Sequence, residues 1–442
     1  MHEMLQERNS GDVSLLDDLL NTLSENRRTD ARQLFDKILG EMAQPQVVVS
    51  RLARFLDASV NRNTELEFMA SSPHYFRLFA TLVDQSDYLT DILCRNPEYL
   101  SWLYEEVDLH ETFSRETLTE QALRQVRVAE SLDHRMGALR RFKRRQFLRI
   151  AARDLFARVS LRDVTEDLSN LADACLEAAL WCACEELFAR YGKPFTTDLE
   201  RVEAENLVSF CILAFGKLGG RELNFSSDID LVFLYAQDGE TTGGRAGKTD
   251  NAVFFTKLGE LIIKFLADET VEGRVFRVDV RLRPYGRVGP LAVSVDSAVS
   301  YYQQAARMWE RQALVKARPA AGDLDLGESF LERVRPLVFP RFFDDETLED
   351  IRRVKSQSEA YVEETGLQEI EVKRGRGGIR DIEFTVQMLQ MLNGGRYPDL
   401  RVTSTLDATR VLGTRGLLKA LEADILETNY TFLRTVEHRL QV

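Results

Sequence analysis

No apolar run in this sequence approaches the roughly 20 residues that a membrane-spanning helix requires. The opening stretch, MHEMLQERNSGDVSLLDDLL, is acidic and holds no signal-peptide core, so the sequence reads as that of a cytoplasmic protein. Histidine is scarce. The five (His2, His74, His110, His134 and His438) stand in no metal or triad spacing and lie far in sequence from the acidic segment discussed below. Histidine-based acid–base chemistry therefore has no footing. Cysteine is equally scarce, at five residues: Cys94, Cys175, Cys182, Cys184 and Cys211. Cys182-x-Cys184 lacks the second Cys or His pair of a metal site and reads as small buried residues on a helix. Positive charge is also in deficit, with 58 Lys and Arg against 71 Asp and Glu, a net charge of −13. Nucleic-acid binding favours a basic surface, so nucleic acid and membrane are both excluded as principal partners. A local basic site for a nucleotide is not excluded.

What is present is ample core material and strong helical patterning. At 442 residues, with 44% hydrophobic composition, the chain should form two to four domains. Residues 1–160 repeat apolar positions at three- and four-residue spacing, as in SLLDDLLNTLSENRRTDARQLFDKILGEMA. The basic flank at Arg140–Arg149 reads first as a solvated helix face, with an anion-binding surface as the less favoured reading. Between 161 and 325 the pattern changes. LVSFCILAF is a strand-type run ended by the glycines of GKLGGRELN; FSSDIDLVFLY follows, then a glycine-rich loop, a helix in AVFFTKLGELIIKFLAD, and RVFRVDVRLRPYG. Helical periodicity returns over 326–442, interrupted at IEVKRGRGGIRDIEF, which reads as a strand, a glycine loop and a helix start. The fold expected is α+β and mostly helical, with a small core between helical N- and C-terminal regions. The chain ends in FLRTVEHRLQV, inside a helical pattern, which suggests a piece of a longer protein.

Asp228 and Asp230 stand two apart in a strand, hence on one face, and are followed by the apolar run Leu231–Tyr235. Unpaired carboxylates are costly in such a buried setting, so the pair implies a cation. In FRVDVRLRP the apolar Val278, Val280 and Leu282 alternate with Asp279, Arg281 and Arg283, predicting one carboxylate and two guanidiniums on a common face. Carboxylate oxygens of Asp228, Asp230 and Asp279 form a hard donor set suited to Mg²⁺. The arginines suit phosphate oxygens. Strand geometry alone equally allows a salt-bridged sheet surface in which Arg281 or Arg283 neutralises Asp279. The glycines tip this balance. Gly219-Gly220 before Asp-x-Asp, with a distant Asp on a strand, is the pattern of DNA polymerase β-like nucleotidyltransferases, where a backbone must approach a triphosphate.

A narrower resemblance rests on GKLGGRELNFSSDIDLVFLY, RVDVRLRPYGRVGPLAVS, YYQQAARMWERQALVKARPAAG and GRGGIRDIEFTVQ. Together these resemble the bifunctional glutamine synthetase adenylyltransferase/adenylyl-removing enzymes from about residue 140 to near the end, whereas the first 130 residues match only in helical character. NFSSDIDL, RLRPYGRVGPL and NGGRYPDL are more similar to the N-terminal, adenylyl-removing half. The resemblance implies phosphorolysis of adenylyl-tyrosine on glutamine synthetase, giving ADP and free tyrosine. It implies two Mg²⁺ ions, with Mn²⁺ as a substitute, held by Asp228, Asp230 and Asp279. Ser226, Ser227, Gly219 and Gly220 would cradle AMP phosphates. Arg281, Arg283 and Lys316 would relieve anion–anion repulsion, with Lys217 and Arg311 as weaker candidates. Glu383, at the helix start after the Gly375–Gly378 loop, is a further candidate, although acidic residues there can simply favour the helix dipole. Adenylylated glutamine synthetase, a PII signal protein, phosphate and ADP or ATP are the implied partners. The forward ATP-dependent adenylylation and an inert PII-docking module are the competing readings; all three carboxylates are present, which disfavours the second.

Overall fold

The computed structural model describes residues 15–196, 207–341, 372–373 and 375–441. It is α+β and mostly helical, and it divides into two compact units: the residues up to Thr112 with Arg144–Val164, and Phe113–Lys143 with Thr165–Gln441. Among the described residues no helix is long and apolar enough to cross a membrane.

The first unit is built of short helices, including Glu25–Leu39, Pro45–Ala58, Arg62–Ser71, Pro73–Gln85, Asp87–Arg95 and Glu98–Glu105. Proline opens two of them, where a missing N–H costs nothing, and the Asn61 and Ser86 side chains cap two others. Aromatic side chains form the core, with Phe35 stacked on Phe76 at 3.9 Å and Phe55 against Phe79 at 4.9 Å. The buried Asp84 carboxylate accepts the backbone N–H groups of Ala43 and Gln44, at 3.1 and 2.7 Å, where the Pro45–Ala58 helix begins.

The second unit holds the sheet. Strands β2 (Phe210–Phe215), β3 (Ile229–Tyr235), β5 (Val278–Asp279), β6 (Ala292–Ser294) and β7 (Arg318–Gly322) form it in the order β5-β3-β2-β7, with β6 also paired to β3. Two short strands, β1 (Pro194–Phe195) and β4 (Glu240–Thr241), pair separately. β2 runs antiparallel to β3 and β7, while β5 and β6 run parallel to β3. Every residue of β2 is buried, because both faces of the sheet are covered. On one side Cys211, Leu213, Phe215, Val232 and Leu234 pack with Tyr302, Phe330 and Val334. On the other, Phe210 and Tyr235 stack on Phe255 of the Asn251–Ala267 helix at 5.4 and 4.8 Å. Gly259 of that helix lets the Phe233 ring approach, since a Cβ there would lie 2.9 Å from it.

The alternation in FRVDVRLRP does not continue as a strand. β5 ends at Asp279, whose Oδ1 accepts the Arg281 backbone N–H at 2.8 Å, and this turns the chain away. The Asp279–Arg281–Arg283 face read from the sequence therefore breaks after its first member. The helix expected after GRGG is present at Ile379–Gly394; the strand expected at 370–371 lies outside the described residues.

A buried fork ties β7 to the Leu161–Tyr191 helix. Arg318 donates to both oxygens of Asp173, at 2.7 and 2.9 Å, and to the Leu218 carbonyl. Asp173 has no exposed side-chain surface, so removing the guanidinium strands a buried carboxylate. Arg318→Met should lower stability in urea denaturation by about 3–5 kcal/mol. An Arg318→Met protein as stable as the parent would show that Arg115, whose Nε stands 3.7 Å from Asp173, takes over the charge.

Candidate functional site

The acidic residues meet at the open end of β3. Parallel register sets Asp230 beside Asp279, so their carboxylates spring from the same face of strands about 4.8 Å apart. Asp228 precedes β3 on the loop from Glu222. The three carboxylates are close enough to disturb one another. Burial, then repulsion from Asp279 and Asp228, pushes the Asp230 carboxyl up to about 6, with Lys373 and Arg281 only partly offsetting this. The other two have cations. Arg281 hydrogen-bonds Asp279 through Nε, at 2.9 and 2.7 Å to its two oxygens, which lowers the Asp279 pKa. Arg277 donates to Asp228 and to the Ser226 carbonyl. Among the described residues Asp230 makes no ion pair.

The ion pair of the salt-bridged reading is thus present between Arg281 and Asp279, with Asp230 beside it and without one. With Asp228 and Asp279 drawn onto arginines, no three acidic, His or Cys side chains converge on a point among the described residues. The donor chemistry nevertheless fits a hard divalent cation, since two half-buried carboxylates lie on adjacent strands and Asp230 carries unrelieved repulsion.

The remaining residues picked out from the sequence fall into three groups. Ser226 and Ser227 shape the Asp228 loop. Ser226 N–H and Oγ are bonded to Gln441 at 3.2 and 3.1 Å, and Ser227 Oγ accepts the Asn224 N–H at 3.2 Å. Gly219 and Gly220 serve packing: a Cβ on Gly219 would lie 1.9 Å from the Lys316 carbonyl oxygen, and one on Gly220 would lie 3.2 Å from that of Thr403. The glycine against the carboxylates is instead Gly216, at φ +55°, where a Cβ would lie 2.6 Å from Asp230 Oδ2. Its signal was the same GKLGG segment, read three residues too late.

Arg283 is turned into its own loop, donating to the carbonyls of Val280 at 2.7 Å and Pro290 at 3.0 Å. Lys316 is buried and donates to Glu222 and Glu383 at 2.7 and 3.1 Å. Burial works against its charge, but those two carboxylates outweigh it and raise its pKa. Glu383 accepts in turn from Tyr430 at 3.0 Å. These groups stand behind the site rather than facing a phosphate. The GRGG backbone is likewise occupied, the Gly377 N–H by the Asp381 carboxylate at 2.8 Å. Lys217 donates to Glu437 at 2.5 Å; burial, then Arg434, lowers its pKa to about 8. Arg311 lies on the Met308–Ala313 helix. Sequence reasoning missed Lys373, whose charge reaches Asp230, and Arg277, which holds Asp228. Both were written in the basic runs KRGRGG and RVFRVDV.

Asp230→Asn should remove the repulsion without removing an ion pair. A raised carboxyl pKa adds stability at low pH that is lost as pH rises towards about 6. Above that pH, in EDTA, the variant should melt at or above the parent's midpoint, and the gap should close on acidification. A variant that melts clearly below the parent at pH 7.5 would make Asp230 a structural residue.

Comparisons of the sequence place this chain among known proteins. Residues 76–333 match the sequence model of a family described as glutamate-ammonia ligase adenylyltransferase. Residues 342–442 match one described as GlnD PII-uridylyltransferase. The chain is 40% identical over 361 residues to the bifunctional glutamine synthetase adenylyltransferase/adenylyl-removing enzyme of Shewanella oneidensis, covering 82% of this chain and 37% of that protein. It is 36% identical over 399 residues to the enzyme of the same name from Hahella chejuensis, covering 90% and 40%. The Pseudomonas putida counterpart is 37% identical over the same length and shares. The chain thus spans about two fifths of the length of these curated relatives.

Proposed function

Because the chain belongs to the glutamate-ammonia ligase adenylyltransferase family, whose core is a polymerase β-like nucleotidyltransferase, we propose that it removes AMP from glutamine synthetase. Inorganic phosphate attacks the α-phosphorus of the adenylyl-tyrosine. The bond from that phosphorus to the phenolate oxygen breaks, ADP departs, and the phenolate takes a proton. The observation that carries this reading is the half-buried Asp230 carboxylate, which lies beside Asp279 and near Asp228 and is left without a cation of its own.

Asp228, Asp230 and Asp279 are the residues that would hold Mg²⁺ or Mn²⁺. Divalent ions, when bound there, would supply positive charge to the entering and leaving oxygens of an in-line displacement. The chain's own residues do the rest. Arg281 is exposed and Arg277 half-exposed, so both guanidiniums are free to exchange a carboxylate for a phosphate oxygen. Lys373 adds positive charge on the same side. Asp279 is a weak base, since Arg281 lowers its pKa. That suits phosphate, already an anion at neutral pH, better than a tyrosine hydroxyl that must lose its proton. The likeness of NFSSDIDL and RLRPYGRVGPL to the adenylyl-removing half supports the same direction. The match of residues 342–442 to a PII-uridylyltransferase description supports a PII signal protein as a regulatory partner.

The test offers the purified chain both adenylylated and unmodified glutamine synthetase. ADP should appear only with the adenylylated form, phosphate and Mg²⁺ or Mn²⁺. Chelation should abolish release, Zn²⁺ should not restore it, and Asp230→Asn should lower it by orders of magnitude. ATP-dependent incorporation of AMP into the unmodified enzyme would reverse the assigned direction.

A further inference from the structure

The Asp228 loop is held by the last helix, Ala420–Arg439, and by Gln441 just beyond it. That helix lies in the segment matched to PII-uridylyltransferase, outside the one matched to the adenylyltransferase family. Its inner face carries Tyr430, Arg434, Glu437 and His438, spaced by four, three and one residues and all buried. Glu437 accepts from Lys217 at 2.5 Å and from Asn224 Nδ2 at 2.9 Å. Arg434 donates to the Glu222 carbonyl, to Asn224 Oδ1 at 3.1 Å and to Glu437 at 3.0 Å. Tyr430 donates to Glu222 and Glu383. Gln441 receives the Ser226 N–H through its side chain and the Ser226 hydroxyl through its carbonyl.

The charges balance. Lys217, Lys316 and Arg434 face Glu222, Glu383 and Glu437 in a nearly buried cluster, so no member can be lost without leaving an uncompensated charge. The contacts concentrate on the two backbone pieces that border the carboxylates. One is the Gly216–Lys217 turn beside Asp230; the other is the 222–228 loop that ends in Asp228. We infer that the last helix sets the position of Asp228, with Glu437 and Gln441 as positioning residues of the metal-binding site. This rests on the reading of Asp228, Asp230 and Asp279 as that site. It makes residues 420–441 part of the site's wall, so a partner bound to that helix gains a route to the reaction.

The experiment compares the full chain with Glu437→Gln, Gln441→Ala and, as a control on the outer face of the same helix, Phe432→Ala, whose ring is 63% exposed. Hydrogen exchange over residues 222–228 is followed in EDTA, and Mn²⁺ affinity is measured by calorimetry. Both test variants should exchange faster in that loop and bind Mn²⁺ about 10-fold or more weakly, the cost typical of removing a group that orients a metal ligand. Phe432→Ala should do neither. Gln441→Ala keeps the test open if Glu437→Gln fails to fold, because it leaves the buried charges intact. Unchanged loop exchange, or an unchanged Mn²⁺ affinity in Gln441→Ala, overturns the inference. A parent that binds no Mn²⁺ overturns it together with the site. A parent that binds Mn²⁺ yet releases no ADP overturns only the reaction assigned above.

Discussion

The parallel pairing of Asp230 with Asp279 is the constraint on which the site depends. Side chains at paired positions of neighbouring parallel strands leave the same face, so this register forces two carboxylates together. Partial burial of Asp230 and Asp279 then thins the water that would screen them. The surrounding structure answers that cost with cations placed at each margin: Arg281 on Asp279, Arg277 on Asp228, and Lys373 within electrostatic reach of Asp230. The carboxylate at the centre remains the least relieved.

Behind this front lies a second layer of charge, buried and closed. Lys316 would have been an obvious phosphate ligand had it faced outwards. Its ammonium instead joins Glu222 to Glu383, and so fastens the loop after the glycine turn to the Ile379–Gly394 helix. Such a cluster contributes less to stability than an apolar core of similar volume would, because each charge is stripped of water. What it provides is specificity of position. The backbone of the Gly216 turn and of the 222–228 loop can be satisfied in one arrangement only.

Much of this was legible in the sequence because it was local. Asp-x-Asp before an apolar run, a third Asp on a strand and glycines at a strand end are short-range patterns, and each stands close to where it was expected. The misreadings came from long-range contacts. Whether Lys316 meets a phosphate or Glu383 depends on a helix 67 residues away. The glycine that matters was fixed by a side chain on another strand, since only the Asp230 carboxylate at Gly216 reveals where the close approach occurs. Arg283 alternated correctly with its neighbours, but the Asp279 side chain captured the Arg281 N–H and ended the strand that the alternation implied.

A chain with net charge −13 would have to concentrate its cations to handle the two anionic substrates proposed for it. Around Asp228, Asp230 and Asp279 it places Arg277, Arg281 and Lys373, with Arg287 also within electrostatic reach of Asp279, so cations offset the carboxylates. Divalent ions taken up by the carboxylates would compete with the arginines for the same oxygens. The released guanidiniums would then stand unpaired and could take the oxygens of the proposed phosphate and phosphodiester. Metal binding and phosphate binding would in that case favour each other, because the metal supplies positive charge directly and also frees the charge already present. In this arrangement the arginines that look like competitors of the metal would be its reserve: they hold Asp228 and Asp279 here, and would turn to the substrate once an ion took their place.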